Sequence, residues 1–504
     1  MDPAYSRFEW RDTGRGVWSR DVDEPETFYA AIARQWEASG RSFFHMTGHL
    51  SLQVAVPPGQ TQASVGSALD AALAKAWLAL RFHHPAIAAQ VKFDAAARKF
   101  VKEYPVSSAG WVDETFVLVP GAQSGVEFAN ADPPAPPVPT LNVVAPPVKD
   151  ETVVLRDLVF RSPHDIIDGI GTLLLFENYV RLAAEAFEKG SAYEPPSLED
   201  PQVIANLSPP FRVAAKVPPE MSDAIKARLE KMDAEAKAGS PAGVEEAGLP
   251  YRKGAVVPGV HKRVEVILSP EQTEKLAAAC KALGASVTHV FHAAIALTLR
   301  DLQPASAAPR PVQHVCYLLR NERARCAPPY NDHRHPTGVY HSTSAEKLVV
   351  PMTVPGQESG GVGAEEEKAE FLRIVAQMRG FYTAVRDDAE HYALAPHLWA
   401  RGTPPLPSGP EKATVVPPPS EAPIATISSM GRIDNVMAHQ HGAIEVSNPW
   451  VTGEELRSGL GLFLGSFRGR LSLSAAYNDA WHDEETTMRF LGRCLDIVNS
   501  GLGI

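Results

Sequence analysis

The stretch His164-Asp165-Ile166-Ile167-Asp168-Gly169 places a histidine and an aspartate four residues apart, with a glycine directly after and an apolar, helix-like run beyond. Imidazole is the side chain best suited to taking a proton near neutral pH, because its unperturbed pKa is about 6.5. A nearby carboxylate fixes its surroundings, and glycine permits a tight bend where a larger residue clashes. These are the parts of a general base at a strand-to-helix corner. The competing reading of His164 is a helix-capping or core histidine. Asp168 can act as an orienting partner that faces His164, as in a triad. The chain holds no GxSxG serine and no convincing nucleophilic cysteine, so a covalent intermediate is not indicated.

Other groups invite a chemical reading and fail it. In Asn331-Asp332-His333-Arg334-His335, the two histidines share a face only on a strand, and no third ligand stands at the usual spacing. This segment reads as a polar channel wall or plain surface, and no metal is expected. Gly459, Gly461 and Gly465 flank an apolar run, but no helix with a phosphate-cradling start follows, which rejects a dinucleotide site. The cysteines Cys280, Cys316, Cys326 and Cys494 are widely spread, with no CxxC pair and no metal-ligand spacing. Cys280 and Cys494 fall on apolar helical stripes, where free cysteine behaves as a small hydrophobe.

The elements that must position these residues come from a chain of 504 residues, too long for one core and suited to two or three lobes. A net charge of −11 argues against a nucleic-acid or anionic-membrane partner, while leaving room for a local basic patch that meets a phosphorylated cosubstrate. No apolar leader opens the sequence and no run approaches the roughly 20 apolar residues of a membrane span. A cytosolic protein is expected. Residues 50–56 alternate like a strand, 65–82 repeat at helical spacing, and 93–119 hold several short strand-like runs. Residues 132–147, rich in proline, read as a surface loop. A strand at 152–160 leads into the His164 corner, and the helix beyond Gly171 buries Phe176, Tyr179, Val180, Ala183 and Phe187.

The polar stretch from 194 to about 258 reads as a connection containing a charged helix at 218–237. The second half repeats the ingredients: a strand at 263–268, a helix capped by Ser269, a second from Ser286, a long amphipathic helix around 371–385, and a proline-rich loop at 403–423. Strands at 425–428, 460–467 and 471–477 and a final helix capped near Asp483 follow. The organisation expected is therefore an N-terminal lobe at 1–205, a connection at 206–260 and a C-terminal lobe at 261–504, an α/β (α+β) chain with mixed sheets flanked by helices.

With these residues in view, the chain resembles the superfamily of CoA-dependent acyltransferases and peptide-synthetase condensation domains, whose HxxxDG signature is matched by His164, Asp168 and Gly169. Ala79-Leu80-Arg81-Phe82-His83-His84-Pro85 is similar to the family's helix-to-"RHP" step. Residues 285–294 are similar to its second-lobe helix, and 471–483 to its closing strand and helix. The pieces keep family order across about residues 45–500. Within the family the nearest likeness is to fungal O-acetyltransferases of the trichothecene-decorating type.

Two departures matter: Pro163 stands where condensation domains usually carry a second histidine, and Ser428-Ser429-Met430-Gly431 stands where plant-type members carry DFGWG. The resemblance implies two chloramphenicol-acetyltransferase-like lobes with an active-site tunnel between them and His164 at its centre. It implies that Asp168 pairs with an arginine, for which Arg320 is the candidate, and that Gly169 supports the corner. Ser428, Ser429 and the backbone at Gly431 are the oxyanion candidates. The implied activity is transfer of a short acyl group, acetyl first, from acyl-CoA to a hydroxyl of a small specialised metabolite. It implies a monomer that uses acyl-CoA as cosubstrate and no tightly bound cofactor. The alternatives are a free-standing condensation domain that takes its thioester from a carrier protein, and a cyclase or scaffold reusing the fold.

Overall fold

The computed structural model describes residues 3–107, 109–357, 363–406 and 416–504, so the middle of the proline-rich loop at 403–423 lies outside the described residues. Near the N-terminus, Asp23 begins helix α1 (Glu24–Gln35) with a reciprocal capping box to Glu26. Strand β1 (Met46–Ala55) and helix α2 (Gln62–His83) follow, then β2 (Phe116–Val119), β3 (Thr140–Val144), β4 (Val153–Ser162) and α3 (Gly169–Lys189). β4 lies between β1 and β3 with antiparallel pairing on both edges, and β3 pairs β2 in parallel. The Leu69, Leu73, Ala76 and Trp77 face of α2 and the Leu173, Phe176 and Val180 face of α3 share one buried core with this sheet. Against expectation, α2 is long and apolar enough to span a bilayer by length and composition, but half of that window is buried inside the protein.

After the lobe connection come α4 (Asp223–Ala238), β5 (His261–Ile267), α5 (Pro270–Ala282), α6 (Val287–Asp301), β6 (Arg310–Cys316), β7 (His341–Thr343) and β8 (Leu348–Val354). Then follow α7 (Ala364–Asp387), α8 (His391–Gly402), β9 (Ala425–Arg432), β10 (Ile444–Gly453), β11 (Leu460–Phe467), β12 (Arg470–Asn478) and α9 (Glu484–Leu502). The second sheet runs β5-β12-β11-β9, with β9 and β11 parallel. β6 and β8 pair antiparallel beside it, and α6, buried along nearly its whole length, packs with α7 and α9 into the second core. Ser269, Ser286 and Asp483 each form a capping box at the helix start read from the sequence.

Elements from either side of residues 205 and 260 pack and pair with one another. β10 leaves the C-terminal half and pairs with β1 along most of its length, from Ile444 opposite Val54 to Gly453 opposite Met46. Ile433, Met437, Ile444, Val446 and Val451 accordingly lie in the N-terminal core. The connection is also docked: Phe211 and Ala214 pack with Tyr340 and Ala395, α4 rests on Ala345 and Leu394, and Glu245–Glu246 pairs with β6.

Candidate active site

β4 ends at Ser162 and α3 begins at Gly169, so His164 and Asp168 sit on the corner between them. Asp168 caps the helix: its Oδ1 accepts from the Gly171 amide at 2.7 Å, and its Oδ2 accepts from the Tyr340 amide at 2.8 Å. The arginine on this carboxylate is Arg323, whose Nη1 donates at 2.9 Å. Arg320, the expected partner, instead donates from Nη1 to the carbonyls of Val385 and Asp388 and pairs with Glu322 at 3.2 Å. The reason is local: Arg320 lies in a short strand that pairs with β7 and reaches the end of α7, while Arg323, in the tight turn that follows, points back to the corner. Burial alone raises the Asp168 carboxyl, but Arg323 and His341 outweigh it and hold it far below the usual carboxylate range.

The glycine the corner requires is also different. A Cβ on Gly169 would meet only the Met430 thioether, at 3.4 Å, whereas one on Gly171 would meet the Pro336 carbonyl oxygen at 2.3 Å and Arg323 Nη2 at 2.8 Å. Gly171 makes room for the strut between the two halves; Gly169 is the first residue of an ordinary helix turn.

His164 lies flat against Tyr29 of α1, with ring centroids 3.7 Å apart and planes 10° from parallel. The Tyr29 hydroxyl meets His341 Nε2 at 2.8 Å, and His341 Nδ1 faces Asp168 Oδ2 at 3.8 Å. A proton on Nδ1, toward the carboxylate, leaves Nε2 to accept from the Tyr29 hydroxyl. Trp399 of α8 closes the cluster edge-on to His341 at 5.3 Å and donates from Nε1 to the His341 carbonyl. The His164 environment is thus assembled from α1, the β4–α3 corner, β7 and α8.

Burial, reinforced by neighbouring His341, brings the His164 pKa down to about 3. The imidazole is therefore neutral across the ordinary pH range. Its Nδ1 is buried without a formed hydrogen bond.

Tyr29 is held in place by charge. Arg20 and Glu26 pair bidentately at 2.7 Å, Lys102 joins Glu26 at 2.5 Å, and the same ammonium donates to the Asp165 carbonyl at 2.7 Å. One buried network thus ties α1 directly to the His164 loop.

Of the oxyanion candidates, Ser429 is exposed and its hydroxyl meets that of Thr288, in the first turn of α6, at 3.0 Å. Ser428 is half-buried, and Gly431 has φ +66° beyond a bulge in the pairing of β9 with β11. The side chain of this strand that reaches the start of α3 is Met430, which the sequence did not single out. Met430 also lines a cavity of about 250 Å³ bounded by β9, β10, β11 and β12, with Arg263, Trp450, Arg468 and Arg470 in its wall. His333 is exposed, while His335 is buried against the Ser208 hydroxyl at 3.2 Å.

Tyr29, His341, Arg323 and Trp399 escaped the sequence reading. For Tyr29 a signal existed: Asp23-Glu24-Pro25-Glu26 is a helix start with a capping box, and it announces α1. For the others only folding brings the residues together.

No family model matches the chain. Among curated proteins it is similar to an acetyltransferase of Monascus ruber, pigO, with 24% identity over 500 residues and 98% of both chains covered. It is likewise similar to the O-acetyltransferase pigM of Monascus ruber, with 25% identity over 98% of this chain and 87% of that one. Among solved structures it resembles the TRI3 trichothecene 15-O-acetyltransferase from Fusarium sporotrichioides, with a TM-score of 0.74 at 17% identity and 98% of each chain covered. It also resembles the first condensation domain of the CDA synthetase, with a TM-score of 0.58 at 14% identity, over 95% of this chain and 96% of that one. The fold is that of CoA-dependent acyltransferases and condensation domains.

Proposed function

We propose that this chain is an O-acyltransferase that moves a short acyl group, acetyl first, from acyl-CoA to a hydroxyl of a small specialised metabolite. The observation that carries the reading is a neutral His164, stacked on Tyr29 and beside His341, on the corner where both halves of the chain meet. The end-to-end similarity to acetyltransferases supplies the reaction class.

The acceptor oxygen attacks the thioester carbonyl while His164 Nε2 takes its proton. The C–S bond then breaks, and the same proton passes to the departing CoA sulfur, so the enzyme ends unchanged. General-base action of this kind contributes about 10² to 10⁴ in rate. Asp168 acts on shape rather than on the proton, because its carboxylate is spent on Arg323 and two amides. Ser429 is our candidate oxyanion donor, since the Ser429–Thr288 hydroxyl pair uses one proton internally and leaves the other to give. The cavity beside Met430 is our candidate for the donor side, with Arg468 and Arg470 offering positive charge to CoA phosphates in a negatively charged chain.

Purified protein incubated with acetyl-CoA alone tests the reading through slow release of free thiol to water. Wild type should release thiol and His164→Ala should lose about 10² or more of that rate. With the His164 pKa at about 3, release should stay level as the pH falls from about 8 to about 5, with no limb near the ordinary imidazole value. Equal release from both proteins would remove His164 from the chemistry.

A further inference from the structure

The second core contains a group of side chains that the acyl-transfer site does not use. His292 on α6 directs Nε2 to within 3.4 Å of His314 Nε2 and 3.3 Å of Cys316 Sγ, and the three atoms all lie within 4.8 Å of one another. All three residues are buried, at 1%, 1% and 4% exposure. They sit among Val290, Phe291, Ile295, Leu348 and Val350, where an unsatisfied polar group is costly.

We propose that His292, His314 and Cys316 form a binding site for Zn²⁺, or another divalent cation of the same thiolate-binding character, in the C-terminal core. Two observations point to it. The first is spacing. With metal–nitrogen bonds of about 2.05 Å and a metal–sulfur bond of about 2.3 Å, a tetrahedral ion holds two nitrogens about 3.4 Å apart and a nitrogen and a sulfur about 3.6 Å apart.

The second is proton arithmetic. An imidazole nitrogen offers one lone pair or one proton, yet both His314 Nε2 and Cys316 Sγ converge on His292 Nε2. Whatever the protonation state, that nitrogen can complete one of these two hydrogen bonds well. A cation at their meeting point satisfies all three donor atoms at once. Tyr382 supplies the outer contact that such a site needs: its hydroxyl lies 3.1 Å from His292 Nδ1, where it can accept from Nδ1–H and leave Nε2 as the ligand.

Binding deprotonates the thiol, so one proton leaves for solvent with each cation bound and no electron is transferred. Three protein ligands leave a fourth position for water. The metal would pin α6 to β6, and the first turn of α6 carries Thr288, the partner of Ser429. His314 and Cys316 share a face because residues two apart on a strand do. Their approach to His292 exists only in the fold, which is why the cysteine spacing in the sequence shows nothing.

The experiment uses the full-length protein, freed of its affinity tag and of metal, titrated with Co²⁺ as a spectroscopic substitute and then with Zn²⁺. The expected result is a thiolate-to-cobalt charge-transfer band with tetrahedral visible bands, saturating at one equivalent, displaced by Zn²⁺ and accompanied by release of one proton. Cys316→Ser should abolish the charge-transfer band. Tyr382→Phe, which keeps the ring, should weaken binding by about 10- to 100-fold. If Cys316→Ser fails to fold, the wild-type titration and Tyr382→Phe still decide. A folded wild type with no thiolate band at one equivalent overturns the proposal, as does a band that survives intact in folded Cys316→Ser.

Discussion

At the scale of single residues, the corner works because one carboxylate has more than one task. Asp168 caps α3, fixes the Tyr340 amide next to His341, and neutralises Arg323, all at 3% exposure. Replacing it with asparagine keeps the size and the capping oxygen but leaves a buried guanidinium without its counter-ion. Breaking a buried pair in this way costs about 3–5 kcal/mol. Asp168→Asn should therefore lower soluble yield and melting temperature, and the loss should be largest at neutral pH. The sign follows from the depressed carboxyl: its contribution is fully present above the unfolded-state value of about 3.9 and is lost as pH falls below it. A variant that melts like wild type but is inactive would instead place Asp168 in the chemistry. As an internal control, Gly169→Ala should be mild, because only a flexible thioether stands nearby, while Gly171→Ala should destabilise through its collision with the Pro336 carbonyl.

At the scale of elements, what was legible in the sequence is what local chemistry determines. Helix starts at Ser269, Ser286 and Asp483 read directly from the sequence, because the capping hydroxyl or carboxylate and its amide lie within one turn. β11 was bounded correctly by its apolar run. The choice among Arg320, Arg323 and Arg325 for Asp168 was not legible, since it depends on how a tight turn projects side chains across 155 residues of chain. α1 is the element whose absence from the sequence reading matters most, because it carries Tyr29. Its attachment to the molecule runs through Glu26. Glu26 sits between Arg20 and Lys102; burial alone raises its carboxyl, but the two cations bring it down to about 2. Glu26→Gln leaves both buried cations without the carboxylate each pairs with directly, so it should cost about 3–5 kcal/mol at pH 7. Because the folded value lies below the unfolded one of about 4.3, the wild-type advantage should shrink as pH falls from about 5 toward 2. Acyl transfer by the folded fraction should drop as well, since the network that holds the Tyr29 platform over His164 is the one removed. Denaturant melts at several pH values, with activity assayed on the same samples, separate the two effects, and unchanged stability at pH 7 would show that the network carries no weight.

At the scale of the whole molecule, the two halves are less separable than composition suggests. A boundary near residues 206–260 is natural to read from charge and proline content, yet β10 crosses back to complete the first sheet against β1, about 390 residues away in sequence. Such a pairing leaves no local trace, because strand propensity says nothing about which edge a strand will meet. Further ties repeat the message: Glu454, just after β10, pairs with Arg161 at the end of β4 and with Arg41, and Asn130 exchanges hydrogen bonds with the backbone of Arg263 in β5. Without β10, residues 1–205 would expose the edge of β1 together with the apolar surface that Ile444, Val446 and Val451 cover. An unpaired edge beside exposed apolar surface is a route to aggregation. Expressed alone, the 1–205 segment should therefore be insoluble or lack a cooperative melt, and supplying 206–504 in the same cells should restore a soluble complex. A soluble 1–205 fragment with a sharp thermal transition would show that β10 is an accessory to an independent lobe. The histidine at the corner would then owe its setting to two docked domains rather than to one interwoven chain.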